Sequence, residues 1–265
     1  MVVVARKAAA VFARVIRRFL ISDDHGVYPT VVEEILREFY VANAGAAVWT
    51  AMKNETSDTF VGTGRGGRLL VDGIAEALTG NAQVDITLVG HSTGAVYIDN
   101  LLSELVKGRA EGYRIWPDDQ KIRVILLAPA ATYERFTAGV ENYENLISEM
   151  RVITMTDESE QADQLLGPAY PRSLLYFVSG VVERDRDGKS GVMPLIGMAR
   201  YRASSYSNRT DLAAGRKFLT DERVILSPSP LDAPLGRRAG ALSHGAFDDD
   251  PLVLESIAYL LENVP

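Results

Sequence analysis

The chain has 265 residues, enough for one large domain, and its 47% hydrophobic and 24% charged content is that of an ordinary globular protein. A formal net charge of -7 argues against a duplex nucleic-acid binder, and the lack of cysteine excludes disulfides, thiolate catalysis and Cys-ligated metal. No uncharged apolar stretch reaches the ~18 residues of a membrane span, Arg6, Lys7 and Arg14 interrupt the N-terminal apolar run, and cytoplasmic residence is the default expectation.

Residues 2–20 read as an amphipathic helix, with Val4, Ala8, Val11, Val15 and Phe19 at helical spacing and Arg14, Arg17 and Arg18 elsewhere. A basic amphipathic helix can lie on a membrane, but such stripes are mostly core faces, so a helix docked on the body through its apolar face is expected. A loop at 22–26 leads to a second helix over Pro29 to Tyr40, with Val32, Ile35, Leu36 and Phe39 on one face. Ala42 to Met52 reads as a third helix. Gly62-Thr63-Gly64-Arg65-Gly66-Gly67 matches G-x-G-x-x-G, but no strand leads into it, so it reads as a hinge before a helix over Arg68–Leu78 that ends at Gly80-Asn81.

From residue 83 the pattern alternates. Strands are expected at 84–89, 122–127, 151–156 and 223–226, with helices at about 93–107, 133–149 and 172–182. The last helix starts at Asp250-Pro251, a cap followed by proline at the first helical position. Strands alternating with helices imply an α/β fold with a mainly parallel sheet flanked by helices. The expectation is one domain over 1–265. Its helical N-terminal region, 1–60, is a candidate cap or docking element, and 158–222 is an insertion suited to a pocket wall or lid.

Gly90-His91-Ser92-Thr93-Gly94 follows the strand at 84–89 and opens a helix. That placement of G-x-S-x-G holds a serine on a sharp turn with its hydroxyl exposed. The two glycines remove side chains that would clash where strand and helix cross. A serine needs a base, and the histidines are His25, His91 and His244. His91 lies inside the turn and faces away from the serine. His244 sits in a loop between the last strand and the last helix, at the sheet edge where ligands of open α/β sheets bind, and is the expected base. Asp157, just past the strand at 151–156, is the expected acid that orients it, although it could cap the next helix instead. Glu158, Asp163, Asp185 and Asp187 lie nearby.

The order Ser92, Asp157, His244, each following a strand, resembles the α/β-hydrolase superfamily over about residues 83–265, and Gly-His-Ser-x-Gly is its form in esterases and lipases. The resemblance implies a serine hydrolase acting on a small-molecule carboxylic ester through an acyl-enzyme, without cofactor or metal. It also implies an oxyanion hole with the Thr93 backbone N–H as one donor. The family places four strands and a His-Gly oxyanion loop before the nucleophile. Here about 80 helical residues occupy that space, and the only His-Gly before Ser92 is His25-Gly26. Three explanations stand: a fragment lacking an N-terminal segment, strands supplied by another copy, or a reduced sheet. A weakly active or non-catalytic binding module and an acyltransferase are the alternative functions. Gly188-Lys189-Ser190 lacks the first glycine of a phosphate loop, and Asp185-Arg186-Asp187-Gly188 lacks the remaining calcium ligands.

Overall fold

A computed structural model describes residues 2–39, 41–78, 84–110, 117, 120–183 and 191–263. Four helices come first: α1 (Val2–Leu20), α2 (Val27–Glu38), α3 (Val41–Asp58) and α4 (Gly66–Leu78). The alternating part follows as β1 (Ile86–His91), α5 (Gly94–Ala110), β2 (Ile122–Leu127), α6 (Tyr133–Tyr143) and β3 (Ile147–Met155). The short helices α7 (Asp157–Ala162), α8 (Leu174–Phe177) and α9 (Ala213–Phe218) precede β4 (Val224–Ser227), and α10 (Pro251–Glu262) ends the chain.

The sheet has the order β1-β2-β3-β4 with every pair parallel, so the expected α/β architecture holds. Such an order requires each connection to cross over, and right-handed crossovers in one direction put the connecting helices on one face. Accordingly α5 packs on α6, and α6 on α9. β2 is flanked on both sides, and all six of its residues are buried, which explains its unbroken apolar run Ile122 to Leu127 apart from Arg123. Arg123 is neutralised by Glu149 of β3 at 3.0 Å. That pair belongs to the first half of β3, which begins at Ile147 rather than 151. The tail of the expected helix 133–149 is therefore strand, because α6 stops at Tyr143 and a short turn at Glu144–Leu146 redirects the chain. Asp250 caps α10 by accepting from the Val253 N–H at 2.9 Å.

The N-terminal region is helical, as read from sequence, and its first two helices are joined by charged side chains. α1 touches α2 through Arg14 and Arg18, whose guanidinium groups pair with Glu34 (2.6 Å) and Glu33 (2.6 Å). Of the expected stripe, Val4, Ala8 and Phe19 (39%) are exposed and Val11 and Val15 partly buried, while Phe12, off that stripe, is 67% exposed. α2 likewise buries Thr30, Glu33 and Glu34 while Ile35 and Phe39 stay exposed. The expected docking is therefore met only in part: Val11 and Val15 of the α1 stripe and Val32 and Leu36 of the α2 face are partly covered, Leu36 against the core, while Ile35 and Phe39 are not. Two carboxylates buried on α2 require cations, and an unpaired buried charge costs far more than an exposed phenylalanine.

Glu33 is the hub of this contact. It also binds His25 Nδ1 at 2.8 Å and accepts from Tyr170 Oη at 2.5 Å. Burial works to raise the Glu33 pKa, but His25, Arg18 and Tyr170 outweigh it and hold the carboxyl at about 2. Burial pushes His25 down to about 4. At neutral pH the ring is therefore uncharged and donates from Nδ1. A Cβ on Gly180 would stand 2.5 Å from the Glu33 carboxylate, so a glycine is required where the π-helical turn Val178–Val182 meets the hairpin. α3 fastens the rest: Trp49 Nε1 donates to Glu183 at 2.6 Å, and Asn100 of α5 donates to Thr56 at 2.7 Å.

The glycine-rich segment 62–67 follows helix α3 rather than a strand, and Gly62 and Gly64 have φ of 81° and 84°. It is a turn between two helices, the arrangement a hinge needs and a dinucleotide site lacks. Gly80-Asn81 and the stretch 185–190, including Asp185 and Asp187, lie outside the described residues.

Candidate active site

β1 ends and α5 begins around Ser92, which has φ 54°. Only glycine adopts that region freely, so a serine held there marks stored backbone strain of roughly 1–3 kcal/mol. The turn is pinned on both sides. Ser92 N–H donates to Leu127 O at 2.9 Å, and Ser92 O accepts from Ala130 N–H at 3.0 Å. Gly90 is the residue that permits it. A Cβ there would lie 2.7 Å from Ile98 Cδ1 and 2.9 Å from the Gly94 carbonyl carbon. A Cβ on Gly94 meets nothing within 4 Å, so the expected clash relief comes from position 90 alone.

The Ser92 hydroxyl makes no hydrogen bond among the described residues. The Thr93 N–H is likewise without one, because it sits at the start of α5, where the first amides have no partner within the helix. A strained, half-buried serine beside an open helix-start amide is the geometry of a nucleophile with one oxyanion donor. The His25-Gly26 backbone cannot supply the second. His25 N–H donates to Thr30 Oγ1 at 2.9 Å and Gly26 N–H to Asp24 Oδ1 at 3.0 Å.

His244 stands next to this turn. Its ring stacks on that of His91 with centroids 5.1 Å apart, and His91 Nε2 donates to the His244 carbonyl at 2.9 Å. His91 thus ties the loop after β4 to the end of β1, across the top of the sheet. Sequence reading set His91 aside as a base and missed this anchoring part, which only a contact between positions 91 and 244 reveals. Burial, with a smaller push from His91, lowers the His244 pKa to about 4, so the imidazole is neutral at neutral pH. Both of its ring nitrogens are enclosed without a hydrogen-bond partner. No hydrogen bond therefore joins Ser92 to His244 in this structure.

The two acidic candidates separate. Asp157 occupies the first turn of α7, which Thr156 caps. Its carboxylate accepts from Tyr176 Oη at 2.6 Å and from Gln161 Nε2 at 2.8 Å, with no contact to His244. Asp163, at the end of α7, instead accepts from the His244 backbone N–H at 3.0 Å. Between them Glu160 is fully buried. Burial pushes its pKa up to about 8, against the hydrogen bond with Ser173, so it is protonated at neutral pH.

The insertion 158–222 is well packed, with Tyr170, Tyr176, Met198 and Tyr201 all buried. It is stitched over the ends of β2 and β3: Gly197 N–H donates to Pro129 O at 3.1 Å and Ile196 N–H to Ala131 O at 2.9 Å. Residues Val192, Met193, Pro194 and Leu212 do wall a cavity of about 460 Å³, but its opposite wall is α6, not Ser92 or His244. Among the described residues there is no cluster of three or more His, Asp or Glu that could hold a metal ion. No helix among them is long and apolar enough to cross a membrane.

Comparison with known proteins adds no name to this geometry: no family model, no curated protein and no solved structure matches the chain.

Proposed function

We propose that the protein is a serine hydrolase that cleaves small carboxylic esters through an acyl-enzyme, in the manner of the α/β hydrolases. The observation that carries this reading is Ser92 at φ 54° on a strand-to-helix turn, beside the open Thr93 N–H. Ser92 attacks the acyl carbonyl, and the developing oxyanion is met by Thr93 N–H. Neutral His244 takes the serine proton and returns it to the leaving alcohol. Water then repeats the sequence to release the acid. No cofactor enters, and the enzyme works in the cytoplasm.

For the acid, the contacts favour Asp163 over Asp157. Asp163 already accepts from the His244 backbone N–H, and on this reading a turn of the His244 side chain in the reacting state makes Asp163 the partner of Nδ1. The turn would give a partner to a nitrogen that now has none, relieving a cost of about 1–3 kcal/mol.

The test is labelling with a fluorophosphonate probe and hydrolysis of p-nitrophenyl butyrate. Wild type should label and Ser92→Ala should not. Asp163→Asn should lower kcat by roughly 100- to 10,000-fold, and Asp157→Asn should stay near wild type. Failure of folded wild type to label sinks the hydrolase reading, and the reverse order of the two aspartates moves the acid to Asp157. The partnerless His244 nitrogens favour a second reading, a module of this fold that binds an acyl ligand without turning it over. Saturable binding of butyrate esters by a chain that does not label would select it.

A further inference from the structure

We propose that the α1–α2 hairpin docks the protein onto an anionic lipid surface, with the outer apolar face of the hairpin as the inserted part. The two helices run antiparallel, since Lys7 reaches Glu38 O at one end and Arg18 reaches Glu33 at the other. At ~100° per residue, Phe12, Ile16 and Leu20 lie roughly 140–220° round α1 from the Arg14/Arg18 side that meets α2, and Tyr28 and Ile35 lie roughly 120–140° round α2 from the Glu33/Glu34/Glu38 side that meets α1. Both strips therefore point outward from the contact between the two helices. On α2, Ile35 lies roughly opposite Glu33, the residue through which that helix meets Tyr170 and Gly180 of the body.

The face is apolar from end to end. Phe12 and Ile16 of α1, Leu20 at the tip (79% exposed), Val27 and Tyr28 at the start of α2 and Ile35 farther along all stand exposed. A soluble helix normally hides such residues, and a contiguous exposed apolar face marks an interaction site.

Charge selects the occupant. α1 carries Arg6, Lys7, Arg14, Arg17 and Arg18 and no acidic residue. Arg14 and Arg18 are consumed by the glutamates of α2. Arg6 and Arg17 make no ion pair among the described residues and border the apolar strip. A second copy packed on this face would bring those cations to an outer surface whose neighbouring carboxylates, Glu33, Glu34 and Glu38, are already bound by arginine. Anionic headgroups supply what a second copy lacks, and the long arginine side chains can reach up to them while the apolar strip sinks. At 19 residues with its cations along one side, α1 lies in the interface plane and does not span it. The inference is independent of whether Ser92 is catalytic.

The experiment is sedimentation of the full chain with vesicles of phosphatidylcholine alone and of phosphatidylcholine with phosphatidylglycerol, at low and high salt, with analytical ultracentrifugation in the absence of lipid. The chain should sediment with the phosphatidylglycerol vesicles, and less so at high salt. F12S/I16S should weaken partitioning by on the order of 100-fold. R6Q/R17Q should weaken it by roughly 5-fold per residue. All variants should keep the thermal melt of the parent, because the altered side chains are exposed. Failure of folded wild type to bind, equal binding to both vesicle types, or binding untouched by F12S/I16S overturns the proposal. A lipid-free dimer that F12S/I16S dissociates, without vesicle binding, also overturns it and assigns the face to a second copy.

Discussion

In the sheet, Val124 and Ile125 of β2 and Val152 and Ile153 of β3 are wholly enclosed, and polar groups gather at the strand ends. In the α1–α2 hairpin the enclosed residues include Arg18, His25, Glu33 and Glu34, and the phenylalanines are outside. One region is held by non-directional apolar burial, the other by a network in which each charge depends on a few specific partners. The first tolerates loss of a methyl group by partial collapse. The second has no such slack, because removing one partner leaves another charge stranded.

The sharpest way to break this contrast is Arg18→Ala, which strands Glu33 and should cost about 3–5 kcal/mol in a urea titration. Combining Arg18→Met with Glu33→Leu should recover part of that loss, since no unpaired charge then remains. If the double variant is as unstable as the sum of its parts, the network is not coupled in this way. Leu102→Ala in the sheet-packed face of α5 should cost about 3 kcal/mol by leaving a cavity.

Next in size is the acid response. His25 and His244 are both held near 4 in the fold, below the ~6.5 of an unfolded imidazole. The unfolded chain therefore takes up their protons first, and stability should fall between about pH 6.5 and 4, by up to about 1.4 kcal/mol per pH unit for each ring. Glu33, held at about 2, adds a further loss only below about pH 4.5. Glu160 runs the other way: its pKa of about 8 favours the fold at low pH and the advantage drains away as pH rises from 4.5 through 8. Glu160→Gln should thus gain stability at pH 9 and change little at pH 4.5. Unfolding midpoints at pH 4.5, 5.5, 7 and 9 would expose a flat profile, which would contradict all three burials. The smallest effect is expected at Phe12→Ala, within about 0.5 kcal/mol, because that ring is already in water. A loss of several kcal/mol there would mean that Phe12 is core after all.

The sheet was legible from sequence because its signals are local. Four apolar runs at the right spacing, a capped α10 and a serine turn after a strand each depend on neighbours within a few positions. The error at the start of β3 came from Ile147 to Met150, whose mixed character reads equally as a helix tail. The hairpin was not legible. An apolar stripe tells that a helix has two unlike faces, and nothing in α1 itself says which one turns inward. That is decided by Glu33 and Glu34, some fifteen or more positions away, and by Tyr170 and Gly180 far along the chain. The contacts of the two acidic candidates were not legible for the same reason. Asp157 has the right position after a strand, but Tyr176 claims its carboxylate, and the end of α7 carries Asp163 to His244.

The close approach of Gly180 to Glu33 has a consequence for how this sequence can drift. The two positions are 147 apart in sequence, yet a methyl group on one would overlap the carboxylate of the other. Relatives should therefore change them as a pair: an alanine at 180 is admissible only with a shorter side chain at 33, such as aspartate or serine. With the shorter residue the arginine at position 18 keeps only Glu34 and the Asp23 carbonyl as partners and is held less strictly. A set of descendants should then divide into two groups, one keeping Arg18, Glu33 and Gly180 together and one losing all of them at once.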